Sequence, residues 1–225
     1  MPEVQIVKVF VDEHGQFGDL ASIVFDTEHQ LDAAARQKLT RRIGHTETVF
    51  VDDIANPRVS IFNPQQEVKF AGQPMVGAAW LLAEQSDTPF ETIHCRGGAI
   101  RIWQADDLTW IQASLDMMPP WQFRQLSEPD EVEAFPAEQA RALQHTVVWA
   151  WTDKPKGLIR ARTFAPDWDI PEAESNGSGS MLLAANFQQK VEVKHGQGSI
   201  IYAEPASNNL VNVGGRVIAE KSLLV

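Results

Sequence analysis

The sequence predicts an α+β protein of two pseudo-symmetric lobes, each a mixed β-sheet curled around a central α-helix, with a cleft between them. Three observations lead there. Short β-branched and aromatic runs, bounded by turn residues, recur along most of the chain. Two segments, PMVGAAWLLAEQ at 74–85 and MLLAANF at 181–187, are apolar on nearly every face, as helices buried all round are. The pattern R-x-x-x-F-x-P occurs twice, as RVSIFNP from Arg58 and RARTFAP from Arg160, 102 residues apart. Each copy leads through a loop to the small, glycine-containing start of one of those helices. A helix N-terminus aimed into a cleft offers unpaired N–H groups and a positive dipole end, which suit an anion.

The elements follow in order. Residues 4–11 read as a strand, 14–19 as a turn, and 20–25 as a strand pairing back. LDAAARQKLTRRI at 31–43 is a helix stopped by Gly44. Residues 48–51 are a buried strand, 52–57 a turn and 58–62 a strand. The helix at 74–85 carries Pro74 in its first turn, where a missing N–H breaks no bond. Residues 92–103 and 108–115 are strand-like, with a turn or bulge at Gly97-Gly98. Residues 118–130, rich in proline and polar side chains, read as a linker. A short helix is expected at 136–143, then strands at 146–151 and 158–164. The loop EAESNGSGS leads into the second apolar helix, and strands are expected at 199–203, 210–213 and 216–219. Residues 1–117 would form the first lobe and 118–213 the second, with strand 214–225 pairing back onto the first.

Composition narrows the function classes. The net charge of −11 repels phosphate backbones and anionic lipid, and no basic block opposes it, which argues against nucleic-acid and membrane partners. No run approaches the roughly 18 apolar residues of a membrane span. No basic, then apolar, leader is visible, so a cytoplasmic location is expected. One cysteine, Cys95, excludes an internal disulfide. Its neighbour His94 does not give metal-ligand spacing, the six histidines do not cluster, and no metal is expected. No Walker pattern supports a nucleotide phosphate cradle.

Four segments together resemble the PhzF-like phenazine-biosynthesis family, which has the diaminopimelate-epimerase-like fold. VFVDEHGQFGDLASIVFD is similar to that family's opening strand, loop and strand. IGHTETVFV resembles its S-E-T-x-F-V segment, FAGQPMVGAAWLL its F-A-G-H-P-x-x-G-x-A helix start, and FAPDWDIPEAESNGSGS its second-lobe F-x-P…E-D-P-x-T-G-S segment. The resemblance covers most of the chain. It implies a homodimeric isomerase, without a cofactor, that moves a proton between carbons of a small carboxylated metabolite. Epimerases of this fold use two cysteines; a chain with one, at neither site, is not such a racemase. The family's histidine in G-H-P falls on Gln73, its aspartate in E-D-P on Ala173 and the next proline on Glu174. The asparagine-proline of its first loop falls on Asp19-Leu20. The chain is also shorter than typical members, chiefly before Thr146.

Glu47 is the candidate general base or acid, since a carboxyl in an apolar cleft has its pKa raised toward neutrality. A solvated strand-edge glutamate is the plain alternative. Gly72, Gln73, Gly177 and Ser178 are the candidate substrate-binding residues. Glycine serves close backbone approach, whether in a ligand site or in packing alone, and Gln73 can bond a carboxylate or simply cap its helix. His45, two residues before Glu47 and so on the same face of a strand, is an auxiliary candidate that could tune Glu47 or protonate a product. Glu174 is another, able to replace the lost aspartate or merely to favour a helix dipole. Trp168 is a candidate lid or stacking residue. A rival reading is a degenerate relative that binds a small anion without turnover.

Overall fold

Stiff, β-branched side chains and period-two burial make strand the commonest regular structure of this chain. The computed structural model describes residues 3–86 and 90–224; Met1, Pro2 and Val225, which the expected lobe boundaries include, lie outside the described residues with 87–89. The first part contains β1 (Glu3–Val11), β2 (Asp19–Phe25), α1 (Ala33–Ile43), β3 (Thr48–Asp53), β4 (Arg58–Phe62), β5 (Glu67–Val68) and α2 (Gly72–Gln85). It continues with β6 (Thr92–Cys95), β7 (Gly98–Ala105) and β8 (Leu108–Ser114). Then come β9 (Gln122–Gln125), α3 (Pro129–Glu133), α4 (Ala137–Arg141), β10 (Thr146–Asp153), β11 (Leu158–Ala165) and β12 (Ile170–Ala173). The chain ends with α5 (Gly177–Phe187), β13 (Val191–His195), β14 (Ser199–Pro205), β15 (Leu210–Ala219) and β16 (Leu223–Leu224).

Among the described residues all strands belong to one mixed sheet. The run β1-β2-β3-β4-β6-β7-β8-β15 closes on itself, because the second half of β15 pairs antiparallel with β1, Val7 opposite Ala219. Helix α2 packs on β1, β2, β3, β8 and β15 of this ring. From β15 the sheet goes on through β14, β13, β11, β10 and β9, and α5 packs on β13, β14 and β15. The α+β class is the one expected.

The central helices are buried because their small and apolar residues let strands approach. Met75, Val76 and Leu82 of α2 are fully buried. Each such large side chain contributes about 1.5–3 kcal/mol. At Gly77 an added Cβ would stand 2.9 Å from methyls of both Val7 and Val9, so the helix lies this close to β1 only with glycine there.

Several local expectations change. The supposed linker contains β9, which pairs in parallel with β10, Gln122 opposite Thr146, and it runs into α3. Prolines and polar side chains hid a short edge strand with little to bury. The short helix is Ala137–Arg141. The second apolar helix starts at Gly177, so the sequence GSGS forms its first turn. Strand β13 was not expected. The strands at 210–213 and 216–219 are one, β15. Its Gly214 and Gly215 are not a break: side chains there would run into the rings of Trp110 and Phe10.

Candidate active site

Strands β2 and β3 lie side by side in parallel, Ser22 opposite Thr48 and Ile23 opposite Val49. Ala21, Ile23, Val49 and Val51 face the core around α2, while Val24 and Phe50 face a smaller core with Leu39 of α1. Side chains alternate along a strand. Asp19 opens β2 and Glu47 directly precedes β3, so the two stand at the same end of these neighbouring strands. Both line a cleft of about 530 Å³, a size suited to a small metabolite.

The approach to Asp19 is tightly built. Gly18 has φ 78°, and a Cβ there would stand 2.7 Å from a methyl of Val11, so glycine is required. Its N–H donates to Ser199 Oγ at 3.1 Å. Phe10, fully buried, also has positive φ, at a β-bulge between Val9 and Val11. Bulges re-aim side chains beside sites.

Helices α2 and α5 begin against one another at the cleft. A Cβ on Gly72 would lie 3.3 Å from the Ser178 nitrogen, and one on Gly177 would lie 3.4 Å from the Gln73 nitrogen. Ala71 gives α2 no side-chain cap, whereas Asn176 Oδ1 accepts the Gly179 N–H at 2.7 Å. Neither first turn contains an acid. First-turn N–H groups have no intrahelical acceptor, so those of Gly72, Gln73, Gly177 and Ser178 put two positive helix ends at one place.

Burial, and then the charge of Asp19, push the Glu47 carboxyl up to about 8. Burial also pushes Asp19 up, to about 6; the Ser175 hydroxyl, which donates to Asp19 Oδ2 at 3.2 Å, opposes this, and Glu174 adds to it. The charge of Asp19 thus disfavours that of Glu47. At neutral pH the pair holds about one proton, with Asp19 mostly ionised and Glu47 mostly protonated.

Of the expected residues, Glu47, Gly72, Gln73, Gly177 and Ser178 all line this cleft. Gln73 donates through Nε2 to the backbone carbonyl of Asp19 at 2.9 Å, so its amide nitrogen holds the loop. Ser178 Oγ accepts from Trp121 Nε1 at 2.8 Å. His45 is not brought to the cleft: it bonds Ser22 Oγ at 2.6 Å, on the opposite face of β2. Residues 45–46 form a bend before the strand begins, so strand alternation does not extend back to them. Glu174 does not replace the lost aspartate. Its carboxylate accepts from the Gln197 amide and from Ser199 Oγ at 2.8 Å, behind the cleft, while Ala173 lines it. Trp168 does line the cleft, packed 4.9 Å from Trp121 and stacked at 4.6 Å on His145, as part of a wall. Sequence reasoning missed Asp19, Ser175 and Trp121. Asp19 alone left a signal, an acid where an amide was expected. Among the described residues no group of three His, Cys, Asp or Glu could hold a metal ion, and no helix is long and apolar enough to cross a membrane.

A barrel-like mixed sheet, two buried helices meeting N-terminus to N-terminus, and two acids lining the cleft beside them characterise this α+β protein. The profile of the PhzC-PhzF family, described as phenazine biosynthesis-like protein, matches residues 7–152, and the chain belongs to that family. It is 24% identical over 231 residues to the trans-2,3-dihydro-3-hydroxyanthranilate isomerase of Pseudomonas aeruginosa, covering 85% of this chain and 82% of that one. A phenazine biosynthesis protein of the PhzF family from Enterococcus faecalis superposes with TM-score 0.80 at 16% identity, covering 98% of this chain and 97% of that one. A predicted epimerase from Pseudomonas aeruginosa does so with TM-score 0.74 at 20% identity, covering 100% and 99%.

Proposed function

We propose that the protein is a cofactor-independent isomerase that moves a proton between carbons of a small carboxylated metabolite. The observation that carries this reading is the Glu47 carboxyl, held in the cleft with its pKa raised to about 8, beside two opposed helix N-termini. The first-turn amides of Gly72, Gln73, Gly177 and Ser178 would hold the substrate carboxylate. Glu47 would handle the proton. A general acid or base supplies roughly 10²- to 10⁴-fold in rate. Family membership supports the wider reading of a cytoplasmic homodimer in a biosynthetic step of phenazine type. On this reading the two lobes divide after Met117, with 214–224 returning to the first.

The replacement of the family's histidine and aspartate by Gln73 and Ala173 favours a second reading, a binder of small anions without turnover. One experiment separates them: deuterium uptake from heavy water into a panel of small carboxylic acids, led by trans-2,3-dihydro-3-hydroxyanthranilate, followed by NMR. Uptake that disappears in Glu47→Gln supports the isomerase. Uptake equal in both proteins removes Glu47 from the chemistry, and binding without uptake favours the binder.

A further inference from the structure

We propose that Asp19 and Glu47 work as a carboxyl pair, Asp19 as the base that takes a proton from one carbon and Glu47 as the acid that delivers one to another. This rests on the isomerase reading of the cleft. Asp19 opens β2 and Glu47 directly precedes β3, so both stand at the same end of two adjacent parallel strands. Both line the cleft, and the charge of one acts on the other. Asp19 is fixed from three sides: Gln73 Nε2 holds its carbonyl, Ser175 Oγ its carboxylate, and Gly18 its approach. An asparagine, expected at this place from the family resemblance, cannot accept a proton at its amide. Here the residue that titrates has moved to position 19, while Gln73 and Ala173 occupy the positions of the lost acid–base groups.

The surroundings leave the pair unneutralised. Burial, Ser175, Glu174 and the amides of Leu20 and Ser175 act on Asp19; burial and Asp19 act on Glu47. Glu67, Lys69, Arg96 and Asp116 also line the cleft, but neither of these cations is among the groups that shift the two acids. His45 is turned to Ser22. At neutral pH the base is therefore ionised and the acid protonated, as the chemistry needs.

The step balances. A substrate C–H bond breaks and an O–H bond forms on Asp19. The electron pair moves into the conjugated system of the substrate. The Glu47 O–H bond breaks and a C–H bond forms at the second carbon. Asp19 is left protonated and Glu47 ionised. Return of the proton from Asp19 to Glu47, directly or through water, runs downhill because Asp19 is the stronger acid.

The test is an NMR titration of ¹³C-carboxyl-labelled wild type, Asp19→Asn and Glu47→Gln, from about pH 4 to about pH 10, beside the deuterium-uptake assay. An amide spectrum like that of wild type would show that each variant folds. The wild type is expected to titrate in two interacting steps, near 6 and near 8. Asp19→Asn should remove the lower of these two steps and move that of Glu47 downward, because the neighbouring charge is gone. Glu47 titrating at the same pH in that variant would overturn the pair. In the uptake assay Asp19→Asn should lose at least about tenfold and Asp19→Glu should recover part of it. Uptake at the wild-type rate in Asp19→Asn would overturn its role as base while leaving Glu47 in place. A wild type that exchanges none of the acids overturns the isomerase reading and the base with it, whereas the titration decides separately whether the acids are paired.

Discussion

Two groups of acids, one on each face of the sheet, are treated in opposite ways. On the α1 side of the sheet, Arg36 meets Asp26 at 2.7 Å and Asp52 at 2.6 Å, and donates to Ser60 Oγ at 2.7 Å. Burial alone would push Asp26 up, but bonds from Arg36 and from the Gln30 and Leu31 amides hold it below the usual carboxylate range. On the α2 side, Asp19 and Glu47 gain no such cation, and both are raised. The fold could neutralise an acid and does so where only structure is at stake. At the cleft it leaves two acids uncompensated, which costs stability and keeps a proton mobile near neutral pH.

The contrast can be broken from either side. The largest expected effect is on chemistry: Glu47→Gln should lower deuterium uptake by about 10²- to 10⁴-fold. The same variant should unfold at higher temperature than wild type at about pH 8, read by a thermal melt, since it removes a strained charge. Next is Arg36→Met, which leaves buried Asp26 and half-buried Asp52 without their cation. Urea unfolding should show a loss of about 3–5 kcal/mol, with uptake per folded molecule unchanged. Third, stability should depend on pH with opposite signs. Asp26, depressed in the folded state, contributes stability above its unfolded pKa and loses it as pH falls. Asp19 and Glu47, raised in the folded state, bind more protons folded than unfolded, so stability falls as pH rises from about 4 through 6 and 8. Melts of Asp19→Asn should lack part of that alkaline decline. The smallest effect is Ser175→Ala. Losing a bond that favours the charged form should raise the Asp19 step in the titration, with less than about tenfold change in uptake.

Much of this was legible because burial writes periodicity into sequence. The two apolar helices, the strands β1 to β4 and the Gly44 stop could be read from local pattern, and the R-x-x-x-F-x-P copies marked the strands that lead to α2 and α5. What failed was short or contextual. β9 buries little, so it has no pattern to read. Gly214 and Gly215 look like a break from sequence, yet they answer to the rings of Trp110 and Phe10 on other strands. Of the site, Glu47 and the two helix starts came from motifs. His45 was misjudged because a bend, not a strand, precedes Thr48. Asp19 stood in plain view as a departure from the family, but its importance depends on β2 and β3 being neighbours in parallel, which only the fold reveals.

The most direct test of the account is the pH dependence of deuterium uptake by the wild-type protein, between about pH 5 and pH 9. An ionised Asp19 and a protonated Glu47 predict a bell, rising through about 6 and falling through about 8. A rate that keeps rising through 8 would mean that Glu47 acts alone as the base, and a flat profile would mean that neither acid carries the proton; either contradicts the pair.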